Sequence, residues 1–248
     1  MWYIMVVTKM ITTITGSIVN ITGAVWEVLN MDTKEYLQIL RNEIHSTVFA
    51  TLDEKGRPHT RVIDIMLVDD DSLYFITAKG KAFYDELTGQ KFAAISGMTG
   101  GEGSDIAHAS IEKKAISVRG YVKEIGPEKL DEVFEKNPYM AEIYPDENSR
   151  TALTVFRMSD GEGEFFDLST KPITRESFIL GNGLDGKKNL QEHGYFITDK
   201  CRGCRMCYSK CPQKCIDMSS IPFVIKQENC LHCGNCMSVC PFGAVEKR

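Results

Sequence analysis

From Asp32 onward, apolar residues recur with two different periods. Tyr36, Leu37, Leu40 and Ile44 fall three or four residues apart, behind a capping box made by Asp32 and Glu35, so an amphipathic helix is predicted over 32–45. The period then shortens to two, or to compact apolar runs. Strands are predicted over 47–52, 59–68, 73–77, 91–98, 115–125, 152–158 and 164–168. Turn chemistry separates them, first in Asp53-Glu54-Lys55-Gly56-Arg57-Pro58 and then in the run Asp69-Asp70-Asp71. Short helices are predicted over 81–87, closed by Gly89, and from Pro127 to Lys136. Many short strands with few helices imply a closed or half-closed β-barrel.

A glycine-rich stretch from Thr99 to Ser104 continues as an irregular loop to Lys114, and from Pro172 the periodicity fades. Gly181-Asn182-Gly183-Leu184-Asp185-Gly186 matches G-x-G-x-x-G, but the next strand follows too soon for a dinucleotide-binding βαβ unit, so it reads as linker. Four segments result: an N-terminal extension over 1–30, a barrel over 31–180, a linker over 181–198 and a cysteine-rich module over 199–248. Residues 10–26 carry no charge, yet their threonines, Ser17 and Asn20 make them too polar for a membrane span. With no basic n-region or apolar h-region either, the segment reads as an extension, of the kind an over-called start codon would give, and no membrane partner is expected.

Composition changes this picture in two ways. A net charge of −5 over 248 residues gives no footprint for nucleic acid. The charge is uneven: from Lys200 on there are 8 Lys and Arg against 3 Asp and Glu, and before it 21 against 31. All nine cysteines lie between Cys201 and Cys240, which suits thiols committed to metal in a reducing cytoplasm better than a secreted disulfide framework.

Residues 201–212 read Cys-Arg-Gly-Cys-Arg-Met-Cys-Tyr-Ser-Lys-Cys-Pro, and 230–241 read Cys-Leu-His-Cys-Gly-Asn-Cys-Met-Ser-Val-Cys-Pro. The string C-x2-C-x2-C-x3-C-P thus occurs twice, 29 residues apart. Three close cysteines can wrap three corners of a cubane, while the fourth, ahead of proline, reaches the neighbouring cluster. On that rule Cys201, Cys204, Cys207 and Cys240 hold one 4Fe-4S cluster, and Cys230, Cys233, Cys236 and Cys211 hold a second. Zinc favours tetrahedral sets of C-x2-C pairs, which two overlapping triplets do not suit. Cys215 stands outside both strings and reads as a small buried residue. The module resembles the bacterial two-cluster ferredoxins over residues 194–248, which implies an α+β fold.

The barrel has no cysteine, so its redox partner to the clusters should be organic. Over residues 33–170 the order of strands, with His59-Thr60-Arg61-Val62-Ile63 and Thr77-Ala78-Lys79-Gly80-Lys81, resembles the pyridoxamine-phosphate-oxidase-like split barrels that bind FMN. The resemblance implies that Arg61 and Lys81 meet the FMN phosphate, assisted by Thr77 and Lys79, while the backbone of Val62 and Ile63 faces the flavin ring. It also implies a homodimer with FMN between two barrels. True pyridoxamine-phosphate oxidases close with an Arg- and His-rich motif, whose place here is taken by the linker and module, so pyridoxal phosphate synthesis is not expected. The resulting expectation is a cytoplasmic FMN-dependent reductase. It would exchange electrons between a small-molecule substrate and the clusters, with an external redox protein or reduced donor as partner. A flavin and iron–sulfur carrier or sensor without its own substrate is the alternative. His59 and Tyr84 are candidate proton donors, neither favoured.

Overall fold

The computed structural model describes residues 31–100, 113–187 and 193–248. The expected N-terminal extension, most of the loop over 99–114 and the centre of the linker lie outside the described residues.

Helix α1 (Thr33–Ile39) starts at the expected capping box, with Asp32 accepting from the Glu35 N–H, and ends in a π turn over Leu40–Ile44. Eight strands form an antiparallel sheet: β1 (Ser46–Leu52), β2 (Pro58–Asp64), β3 (Leu67–Val68), β4 (Leu73–Ala78), β5 (Phe92–Met98), β6 (Lys114–Gly126), β7 (Leu153–Asp167) and β8 (Thr174–Leu180). Their order is β2-β1-β5-β6-β7-β4-β3, with β8 beside β7. Helix α2 (Ala82–Gln90) joins β4 to β5, and α3 (Leu130–Lys136), α4 (Met140–Ile143) and α5 (Glu147–Arg150) join β6 to β7. The interior is aromatic: Phe49, Phe75, Phe83 and Phe156 are buried, and the Phe49 and Phe75 rings lie 4.6 Å apart.

β7 makes this a split barrel. Its first half, through Met158, pairs with β4, and its second half, from Gly161, pairs with β8 on the same edge. β6 covers the other edge, with a register shift opposite Ser159. The sequence suggests two strands here because Ser159-Asp160-Gly161-Glu162-Gly163 looks like a turn; one strand runs through it. Gly163 serves a close approach instead, since a Cβ there would lie 2.3 Å from the Phe178 ring. Three other expectations shift. The strand over 59–68 breaks at Ile65-Met66, where Ile65 donates to the His45 carbonyl. Helix α2 passes Gly89 and stops at Lys91, which takes a left-handed conformation. β8 and the short α4 and α5 have no sequence counterpart because their apolar periods are too brief.

The C-terminal module repeats itself in three dimensions. β9 (Tyr195–Ile197), α6 (Met206–Lys210) and β10 (Ile216–Asp217) recur 29 residues later as β11 (Val224–Ile225), α7 (Asn235–Ser238) and β12 (Val245–Lys247). The strands cross over, β9 pairing with β12 and β10 with β11. β9 lies inside the stretch read as linker. Left-handed backbone repeats as well: Gly203 (φ 70°) with His232 (φ 53°), Arg205 (φ 64°) with Gly234 (φ 77°), and Lys214 (φ 54°) with Gly243 (φ 57°). Wrapping closely spaced thiols around one centre needs these bends, and in each pair one half supplies glycine. Among the described residues no helix is long and apolar enough to cross a membrane.

Two glycine substitutions should therefore move stability in opposite directions. Gly234→Ala places a Cβ 2.8 Å from the Tyr195 hydroxyl at φ 77°, and should cost about 1–2 kcal/mol. Gly89→Ala, inside α2 with nothing within 4 Å, should gain about 0.5–1 kcal/mol. Anaerobic thermal unfolding of both variants beside the wild type checks the signs.

Candidate functional site

The module brings its thiols together in two sets. Cys201, Cys204, Cys207 and Cys240 line one small cavity with Ile197, Phe223 and Ala244. Cys211, Cys230, Cys233 and Cys236 line another with Ile216 and Ile225. In each set the fourth cysteine comes from the other repeat. No carboxylate or imidazole lines either cavity; beside the thiols stand mostly apolar residues, with Arg202 and Arg205 at the first and Gln213 and Asn235 at the second, a donor set that suits an iron–sulfur cluster. Among the described residues no three Cys, His, Asp or Glu side chains converge tightly enough to hold a single metal ion. The thiols stand around a cavity instead. Cys204 and Cys233 reach the surface, while Cys201, Cys207, Cys211, Cys230 and Cys236 are buried.

Cys215 also lines the second cavity, its Sγ 3.5 Å from that of Cys211. The hydrogen bond to Cys230, burial and the hydrogen bond to Cys211 push its thiol up. The hydrogen bond from Cys215 pulls Cys230 down against the opposing effect of burial.

Of the barrel residues singled out by sequence, Arg61 packs on α2, and Lys79 and Lys81 stand at its start. Arg61 on β2 reaches across to this helix, its guanidinium 4.3 Å from the Phe83 ring centre. Lys81 is the N-cap residue of α2, whose N-terminus has no side-chain cap. Lys79 and Lys81 are exposed. The Thr77 hydroxyl is buried and has no hydrogen-bond partner. On β2, Val62 is 66% exposed, while Ile63 packs against the core. Two lysines, an orphan hydroxyl and an uncapped helix start fit a phosphate-bearing group such as FMN.

Arg61 itself is engaged. It donates to Glu86 (2.7 Å) and to Thr51 (2.7 Å), with Arg61 and Glu86 side chains only 16% and 9% exposed. Glu86 also meets Thr51 and His59. Burial pushes the Glu86 carboxyl up, but hydrogen bonds from Thr51, His59 and Arg61 and the Arg61 charge outweigh it and hold it low. No sequence period marks Glu86 as a partner, because the contact joins β2 to a helix 25 residues on. The two candidate proton donors are also occupied: His59 bonds Glu86 at 2.9 Å, and Tyr84 donates to Glu124 at 3.0 Å.

Two clusters escaped the sequence reading. At the far end of β2, Tyr139 donates to Asp64 (2.7 Å) and lies 2.9 Å from His45 Nε2, with His45 at φ 60°. Where β8 meets the module, Arg175 donates to His232 Nε2 (3.0 Å) and pairs with Glu164. Beside it Ile173 donates to Gln213 (3.0 Å) and accepts from Asn229 (3.2 Å). All three module residues lie within two positions of Cys211, Cys230 or Cys233.

Comparison with known proteins agrees with this division. The family model "Pyridoxamine 5'-phosphate oxidase" matches residues 33–165, over half of the chain. The chain belongs to the pyridoxamine 5'-phosphate oxidase family. A second model, "4Fe-4S dicluster domain", matches residues 200–244. A pyridoxine/pyridoxamine 5'-phosphate oxidase of Mannheimia succiniciproducens is 28% identical over 109 residues, 44% of this chain and 47% of that protein. A 7Fe ferredoxin of Hydrogenibacillus schlegelii is 36% identical over 53 residues, 21% of this chain and 68% of that one. The chain spans less than half the length of two of the curated relatives it matches. A solved NimC/NimA family protein of Clostridium acetobutylicum is 21% identical, covering 59% of this chain and 91% of its own, with a TM-score of 0.47. Members of the oxidase family thus supply the fold of the barrel, and the cysteine module is a separate, ferredoxin-like addition.

The Glu86 pair gives a pH test. Its folded pKa is depressed, so its stabilisation is present above the unfolded value of about 4.3 and is lost as pH falls through the folded value. Glu86→Gln should cost about 3 kcal/mol at neutral pH by stranding Arg61. The gap to wild type should begin to narrow as pH falls below about 4.3 and close only below the lower folded value. Urea unfolding across this pH range checks it.

Proposed function

We propose that the protein is an FMN-dependent oxidoreductase, acting as a reductase that carries electrons between a one-electron donor and a small-molecule substrate. The observation that carries this reading is the hydrogen-bonded seam between β8 and the cage holding Cys230 and Cys233. There Arg175, Ile173, His232, Gln213 and Asn229 fasten a ferredoxin-like module directly onto a flavin-type barrel. The oxidase fold and the 4Fe-4S domain together give the chain a redox character. An iron–sulfur cluster exchanges electrons singly and FMN singly or in pairs, so the combination converts one-electron supply into two-electron reduction.

In this reading Cys201, Cys204, Cys207 and Cys240 hold one 4Fe-4S cluster, and Cys230, Cys233, Cys236 and Cys211 the other. Lys81, Lys79 and Thr77 hold the FMN phosphate at the uncapped start of α2. Arg61, fixed by Glu86, stiffens that corner, and the exposed edge of β2 at Val62 and Ile63 backs the ring. Two such chains form the homodimer. The substrate differs from pyridoxamine phosphate, because β8 and the module follow the barrel where the oxidase's closing motif would stand.

Anaerobic protein should release FMN and contain iron and sulfide for two 4Fe-4S clusters, measured by mass spectrometry and chemical assay. Zinc in place of iron would overturn the reading. Lys81→Ala should lose FMN and keep iron. Arg175→Ala should keep both centres but slow bleaching of the flavin by a chemically reduced donor several-fold, while Arg175→Lys retains most of the rate.

A further inference from the structure

The two repeats share a backbone but not a charge. Around the first cage the loop reads Cys201-Arg202-Gly203-Cys204-Arg205-Met206-Cys207, and around the second Cys230-Leu231-His232-Cys233-Gly234-Asn235-Cys236. Position for position, Arg202 stands where Leu231 stands and Arg205 where Gly234 stands. The second loop turns toward the barrel through His232 and Arg175. Among the described residues no hydrogen bond or ion pair ties Arg202 or Arg205 to the barrel, and both are exposed beside the exposed Cys204.

Around Cys204 apolar and basic side chains are exposed together. Met206, Ile221 and Phe242 are 45%, 63% and 46% exposed. Phe242, Arg202 and Arg205 border the first cavity, and the Ile221 side chain lies against Gly203. Among the described residues Lys200, Arg202 and Arg205 enter no salt bridge. Solvated cations beside exposed apolar side chains speed encounter with a partner of opposite charge and help fix its orientation. A fold that spends its uncharged loop on its own barrel and its dicationic loop on solution has one inner and one outer face.

We propose that the face formed by Lys200, Arg202, Arg205, Met206, Ile221 and Phe242 is the docking surface for an acidic one-electron carrier protein. The proposal rests on the electron-transfer reading above and adds to it the point of entry and the charge of the partner. Each encounter oxidises the reduced carrier by one electron and reduces the module by one; no bond, proton or group moves. The opposite charge of the rest of the chain, 21 Lys and Arg against 31 Asp and Glu before Lys200, makes a second copy the rival occupant.

The test uses anaerobic, fully loaded protein mixed in a stopped-flow cell with a reduced acidic bacterial ferredoxin, or with reduced methyl viologen, a small cationic donor that needs no docking face. The ferredoxin rate should fall by roughly tenfold or more between about 0.02 M and about 0.5 M salt. Arg202→Glu/Arg205→Glu should lower it about tenfold at low salt, whereas Arg202→Lys/Arg205→Lys keeps rate and salt dependence. Viologen rates should stay within about twofold in the Lys variant and should not fall in the Glu variant, whose added negative charge favours this cation at low salt. Iron and sulfide content verifies loading; should the Glu variant lose iron, Ile221→Ser takes its place, again slowing ferredoxin and sparing viologen. A ferredoxin rate indifferent to salt or to these substitutions overturns the proposal. So does a wild-type dimer that falls to monomer in Arg202→Glu/Arg205→Glu by sedimentation, which assigns the face to a second copy. Loaded wild type that neither donor reduces sinks the electron-transfer reading as well.

Discussion

Each half of the cysteine module leaves its own cage one thiol short. Cys240 completes the set begun by Cys201, and Cys211 completes the set begun by Cys230. The strands obey the same rule, because β9 pairs with β12 and β10 with β11. Neither repeat can close its cage or its sheet alone, so the module folds as a unit or not at all. Its ends are zipped too, Gly194 and Arg248 exchanging backbone hydrogen bonds in both directions. The left-handed bends at six positions are the local cost of wrapping thiols this tightly, and glycine at three of them, Gly203, Gly234 and Gly243, lowers that cost.

That closed module has to meet the barrel at one place, and β8 provides it. β8 exists because β7 changes partners at Ser159, giving its first half to β4 and its second half to β8. The split in the barrel is thus what creates the edge on which the second cage sits. Arg175 holds both sides at once, pairing with Glu164 on β7 and donating to His232 between Cys230 and Cys233. In the proposed function this seam is the inner end of an electron path. Its outer end is the first cage, where the matching loop carries arginine instead of leucine and glycine.

The other barrel corner shows how a fold supplies cations without leaving all of them free. Arg61 is locked by Glu86, Thr51 and the Phe83 ring, while Lys79 and Lys81 project from the turn before α2. A locked arginine stiffens the corner, and in the proposed function the exposed lysines and the orphan Thr77 hydroxyl are left to meet the ligand. The same separation of tasks recurs at the far end of β2, where Arg41 bonds Met66 and Asn137 beside the His45–Tyr139–Asp64 group.

Periodicity and spacing determined a good deal alone. The capping box placed α1, alternation placed most barrel strands, and the cysteine string grouped the close triplets, because a short loop leaves three near cysteines little freedom, whereas the place of Cys215 beside Cys211 came only from the fold. The sheet order, the continuity of β7 through its glycines and the existence of β8 were decided by tertiary structure, since pairing partners and close approaches leave no local period. So was the fate of Arg61: its residue type and strand were legible, but its partner Glu86 lies on a distant helix that only the folded chain brings near. The inner and outer faces of the module follow the same logic. Their charges were written in the two loops, and the docking of β8 decided which one faces inward, because burial against the barrel is a property of neither loop alone.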